Sequence, residues 1–267
     1  MTATEDSPAT GRALLEAGSA VAGSMSRAAA ALVYPDPAGP APVVQLEDRL
    51  ARCLRVAADE AAGIPVSRER SRAGAVLAFA VEHGAALSRG GRSARDDGFF
   101  APRAGGRSAA DTVTEAVVAT ARGSHEERRV RHLGYLLAEV ASSPDLDAAL
   151  VDRALRLAAG LSWRQLVLLA GVGRRDRSPL PMTPLAEDPR GWTAWGARED
   201  VAELQRAGLL DPPPAQPRPG GAALPRLRPA DLRLTRRGVL VHRLMALGFV
   251  RDDDVSAMLA ELDTPGT

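Results

Sequence analysis

Four histidines, one cysteine and 33 carboxylates are the side chains of this chain that could hold a metal ion or move a proton. His125 and His132 stand seven apart on one expected helix, so they share a face about two turns, roughly 10 Å, apart. That is too far for the two to hold one zinc ion without other ligands. The run His-Glu-Glu-Arg-Arg also lacks the zinc-protease spacing, in which the histidines are four apart. No metal ligands are assigned. There is no Gly-x-Ser-x-Gly elbow to present a nucleophilic serine. The stretch from Gly171 to Asp176 fails as a dinucleotide fingerprint, because it lacks the third glycine and closes a helix where the motif should follow a strand. Asp96-Asp97 falls in a loop, and Asp252-Asp253-Asp254 suits the start of a final helix, where carboxylates meet the positive end of the dipole. The residues therefore give no catalytic group and no cofactor, and a non-enzymatic protein is the expectation.

Composition removes further chemistries. All 34 basic residues are arginine, since the chain contains no lysine, and it contains no asparagine. A Walker loop, a protein kinase and a Schiff-base enzyme each need a lysine amine, so none of them is written here. N-glycosylation acceptors are likewise missing. The net charge is only +1, which supplies no global field toward nucleic acid or anionic lipid. The lone Cys53 in an apolar-periodic stretch suggests a buried thiol in a reduced cytosol, and the N-terminus does not read as a secretory signal.

What charge there is collects locally. Between 226 and 243, Arg226, Arg228, Arg233, Arg236, Arg237 and Arg243 face Asp231 alone, an edge able to meet phosphates or an acidic protein surface. Phe99 and Phe100, inside the Gly/Arg/Ser-rich run 88–108, are a candidate docking anchor, because a large apolar pair gains most from burial; the same pair could fold back on its own core. Trp192 and Trp195 read as packing anchors for a long proline-containing loop.

The elements that must carry these residues are helices. The apolar residues are mostly Ala, Leu and Val, with only three Trp, two Tyr and four Phe, a mixture that favours helix over sheet. An Ala/Gly-rich helix is expected over 1–34, ended by Pro35, Pro37, Pro40 and Pro42. A helical pair follows over 43–87, then a flexible loop over 88–108. A central helical core over 109–173 begins one of its helices with Ser124 and Glu127 at capping-box spacing and another with Ser162. Residues 174–196 form a Pro/Trp loop.

The segment 197–250 is written like a winged-helix module: VAELQRAGLL, a proline-rich gap, then LRLTRRGVLVHRLM. A short β-hairpin is expected between its helices, with an acidic helix or tail over 251–267. The fold class expected is thus a mainly α multi-helix bundle followed by a winged-helix-like α+β module. The helix 197–210 makes a poor reader of bases, because Arg198 and Arg206 are outnumbered by Glu199, Asp200 and Glu203.

The block EERRVRHLGYLLAEVASSPDLDAALVDRALRLAAGLSWRQLVLLAGVG, followed by DVAELQRAGLL and LRLTRRGVLVHRLMALG, is similar to the Abi-alpha family associated with abortive phage infection. The resemblance spans about residues 124–248 and rests on hydrophobic spacing; the Pro/Gly-rich insert 212–221 departs from it. It implies a bacterial protein, cytosolic or membrane-peripheral, with a part in phage defence, and it carries no catalytic residues over.

A protein partner or a second copy of the chain is the expected ligand, with nucleic acid at the 226–243 edge as the alternative. A third expectation is membrane contact through 11–33, which carries Glu16 and Arg27 and is too polar to span a bilayer.

Overall fold

The structure is a computed structural model that describes residues 68–102, 106–186, 191–211 and 227–263. The expected helix 1–34, the 11–33 segment, the first half of the 43–87 pair with Cys53, and Arg226 lie outside those residues. The described elements are α1 (Arg68–Arg89), α2 (Ala109–Arg122), α3 (Glu127–Ala141), α4 (Ala148–Ala159), α5 (Trp163–Gly173), α6 (Trp192–Arg206), the 3-10 turn η1 (Pro229–Asp231), α7 (Arg236–Leu244), the 3-10 turn η2 (Leu247–Phe249) and α8 (Asp252–Leu262). The mainly α expectation holds. Among the described residues no single helix is long and apolar enough to cross a membrane.

The chain divides into two compact units, 1–159 and 160–267. The division falls inside the expected 109–173 core, and within the second unit α5 packs with α6, α7 and α8.

In the first unit, α1 and α3 form the main packing pair, with α2 against both and α4 against α2. The apolar stripe Val76, Leu77, Ala80 and Val81 of α1 meets Val130, Leu133, Leu136, Leu137 and Val140 of α3, all buried. The two helices come so close that a Cβ on Gly134 would lie 2.5 Å from the Val76 carbonyl oxygen and 2.7 Å from the Phe79 Cβ. Only glycine permits that approach.

Ser108 and Asp111 form a reciprocal capping box that starts α2. The box expected at Ser124 and Glu127 does not form. Glu126 is the N-cap of α3, without a side-chain cap, and Ser124 Oγ donates to the Glu126 carbonyl. His125 consequently precedes the helix and is exposed, while His132 is buried within it, so the two histidines do not share a helical face.

The second unit explains why AGLL and LTRRG stand where they do. Gly208 ends α6 in the left-handed region (φ 67°), and Leu209 N–H then reaches back to the Leu204 carbonyl at 2.9 Å, the 6→1 bond of a Schellman cap. Thr235 caps α7 by accepting from Gly238 N–H, and it also donates to the Gly208 carbonyl at 2.6 Å. Gly238 sits where a Cβ would be 2.1 Å from the Leu209 carbonyl oxygen. The two motifs are therefore two halves of one joint. Around it Leu166, Leu169, Val201, Leu204, Leu210, Leu232, Leu244 and Met258 are buried.

The expected β-hairpin is a correction. Among the described residues there is no strand, only an isolated antiparallel bridge between Leu210 and Leu234, flanked by Asp211 N–H to the Arg233 carbonyl and Thr235 N–H to the Leu209 carbonyl. The physical cause is room. Leu232 closes η1 and Thr235 already caps α7, so only Arg233 and Leu234 are free to extend.

Candidate interaction surface

The loop after α5 is held by leucines: Leu180 and Leu185 are buried, Leu185 N–H donates to the Leu227 carbonyl, and Ala230 N–H donates to the Pro181 carbonyl. The tryptophans expected to pin it do not. They belong to the first turn of α6, with Trp192 85% exposed and Trp195 47% exposed. Their rings meet edge to face with centroids 6.0 Å apart.

Helical spacing accounts for this. Ala197, Val201 and Leu204 form the buried face of α6. Trp192, Trp195, Glu199, Glu203 and Arg206 fall on one stripe opposite to it. Arg206 lies 3.8 Å from both Glu199 and Glu203 and offsets part of their charge. Asp200, beside the stripe, takes the Arg164 guanidinium at 2.9 Å, and Arg164 reaches Glu261 of α8 as well, which staples α6 to its neighbours. The face presented is aromatic at one end and net acidic at the other, so a phosphate backbone is repelled from it.

The basic edge lies elsewhere in the same unit. Arg228 is tied to Asp231 through two hydrogen bonds of 2.8 and 3.2 Å. Arg233 is exposed and donates to the carbonyls of Ala230 and Leu232. Arg236 and Arg237 are exposed in the first turn of α7, and Arg243 is exposed near its end. Among the described residues Arg233, Arg236 and Arg237 have no carboxylate within ion-pair distance.

Phe99 and Phe100 do not extend from the protein as a pair. Phe99 is 6% exposed, with the Arg95 guanidinium 4.4 Å from its ring centre and Phe100 against its edge. The chain before them makes its own contacts. Arg95 is buried, its N–H donates to the Ala141 carbonyl, and its side chain grips Asp97 in two hydrogen bonds. Phe99 is buried within its own unit, with the Arg95 guanidinium in cation–π contact with its ring.

Sequence reading missed one polar cluster altogether. His83 of α1 donates through Nε2 to Glu139 of α3 at 2.9 Å, Arg92 donates to the other Glu139 oxygen at 2.7 Å, and the His83 ring stacks on Tyr135 at 4.4 Å. Burial pushes the Glu139 carboxyl up, but the bonds from His83 and Arg92 outweigh it and leave the group below its ordinary range. A carboxylate held ionised by two donors is a fastening between helices. The members lie 47 and 56 residues from Glu139 in sequence, so no local spacing announces them.

Among the described residues no group of three or more His, Cys, Asp or Glu side chains could hold a metal ion. Compared with known proteins, the chain matches no family model, no curated protein and no solved structure.

Proposed function

We propose that this is a non-enzymatic helical interaction or sensor protein of a bacterial cytosol, with a part in phage defence. The observation that carries the interaction reading is the exposed Trp192–Trp195 pair on α6. A tryptophan buries roughly 150–250 Å² when fully enclosed; Trp192 still has most of that to give and Trp195 about half, and residues of this type are enriched among those that carry binding energy where proteins meet. The phage-defence part rests on the Abi-alpha resemblance alone.

The test has two arms. Sedimentation of the purified chain reads self-association, and affinity purification from the host organism reads a heterologous partner. Trp192→Ala/Trp195→Ala should abolish whichever association the wild type shows. A monomer with no partner that depends on the tryptophans contradicts the reading.

A second reading, a winged-helix-like DNA-binding regulator, is favoured by the exposed Arg233, Arg236 and Arg237 without carboxylate partners. It requires duplex binding that weakens steeply with salt and is lost when the three arginines are replaced. The aromatic and acidic stripe of α6 weighs against it, since that helix would have to enter the groove.

A further inference from the structure

The end of α5 and the turn before α8 build a second feature that the interaction surface does not use. Arg174, the C-cap residue of α5, is nine-tenths buried. It donates to the carbonyls of Leu247 at 3.0 Å, Gly248 at 2.6 Å and Val250, and to Asp252 Oδ1 at 2.8 Å. A single guanidinium thus gathers the η2 turn, and its Nε is buried without a partner among the described residues. The turn itself opens on Ala246 in the left-handed region (φ 47°), a conformation that costs a non-glycine residue and persists only where the surroundings enforce it. Arg174 fixes the carbonyls that follow it.

Beside this clamp lies a polar concavity of about 430 Å³. That lies within the range of small-molecule sites, about 300–1,000 Å³. Its walls include Arg177, Ser178, Phe249 and Arg251 together with Arg174 and Asp252. Arg177 is exposed, and its guanidinium has no hydrogen bond or ion pair among the described residues. Ser178, its neighbour in the chain, shares the wall with it. Arg251 lies 3.5 Å from Asp253, whose side chain is 89% exposed and outside the walls. Three guanidinium groups face one lining carboxylate, and Arg174 already offsets that carboxylate at 2.8 Å. Phe249, 66% exposed, adds a ring at the rim.

Forked guanidinium donors beside a hydroxyl suit a phosphate, and an aromatic face suits a planar base. We propose that this concavity binds a small phosphate-bearing ligand with a planar ring, the chemistry of a mononucleotide. The phosphate meets Arg177, Ser178 and Arg251, and the ring lies against Phe249. None of these residues belongs to α6, so the site stands whether or not the tryptophan surface binds a partner.

Isothermal titration calorimetry of the full chain with AMP, inorganic phosphate and adenosine tests this at constant ionic strength. AMP should bind saturably and tighter than phosphate, with adenosine weakest. Arg177→Ala should weaken AMP about tenfold, as expected for loss of one charge-assisted contact. Phe249→Ala should reduce AMP to the affinity of phosphate. Both side chains are exposed, so circular dichroism of the variants should match the wild type. The proposal is overturned by the absence of AMP binding at millimolar concentration, by adenosine binding as well as AMP, or by an affinity unchanged in Arg177→Ala. Phosphate binding as tightly as AMP would remove the ring from the assignment and refute the nucleotide chemistry.

Discussion

Gly238→Ala is the perturbation that probes the C-terminal joint most sharply. The new methyl would sit 2.1 Å from the Leu209 carbonyl oxygen and 3.1 Å from the carbonyl carbon. These are backbone atoms fixed by the Schellman cap, so α7 must move away instead. Overpacking of this kind costs about 1–3 kcal/mol. The shift also strains the two Thr235 bonds to the α6 end, from its N–H to Leu209 and from its hydroxyl to Gly208, each worth about 1 kcal/mol.

Against this, alanine within a helix gains up to about 1 kcal/mol over glycine. The net is a loss of about 2 kcal/mol. With a urea slope of about 2 kcal/mol per molar, the unfolding midpoint should fall by about 1 M. All three tryptophans, Trp163, Trp192 and Trp195, lie in the second unit, so intrinsic fluorescence reports its unfolding selectively. Gly196→Ala is the matched control. Its Cβ would come no closer than 4.0 Å to Arg164 Nη2 within α6, and it should stabilise by up to about 1 kcal/mol. A Gly238→Ala midpoint equal to wild type would refute the close-approach argument.

Gly134→Ala should act likewise on the first unit, forcing α1 from α3 and raising amide exchange in both helices, whereas unchanged protection would contradict the packing described. His242 is held below its ordinary 6.5 by burial and by the nearby Arg174 charge. Above that pH the group is neutral in folded and unfolded chains alike; below it the unfolded chain takes the proton first, so the second unit should lose stability as pH falls from 6.5 toward the depressed folded value. His242→Leu should flatten that segment of a pH–stability curve, and an unaltered slope would show that other groups set it. Replacing Arg236 and Arg237 by alanine should leave folding within about 0.5 kcal/mol, by urea unfolding, because both side chains are exposed and make no hydrogen bond among the described residues.

Some of this architecture was legible in the residues. The Ser162 cap, the apolar stripes of α3 and α5 and the glycine that ends α6 each follow from local rules, and each is where those rules place it. Asp252, Asp253 and Asp254 do occupy the first turn of α8. The failures have two causes: helix ends that fall elsewhere than the local spacing suggests, and contacts with residues far away in the chain. Trp192 and Trp195 look like loop anchors until α6 begins at Trp192 and turns them outward, while Leu180 and Leu185 hold the loop. The Ser124–Glu127 spacing is correct for a capping box, yet Ser124 binds the Glu126 carbonyl and the helix starts two residues later. The alternation at the start of LRLTRRG suits a strand, but Thr235 is taken up as the cap of α7. The His83–Glu139–Arg92 cluster and the Arg174 clamp join residues 47 to 78 apart, beyond any periodicity.

The central claim is that the Trp192–Trp195 end of α6 is a contact surface. The most direct measurement places a photo-crosslinking residue at exposed Thr193, beside both rings, and irradiates the full chain in its host. The prediction is a discrete adduct, with a second copy or another protein, that disappears when Trp192 and Trp195 are both alanine. An uncrosslinked chain, or an adduct indifferent to the two tryptophans, contradicts the claim.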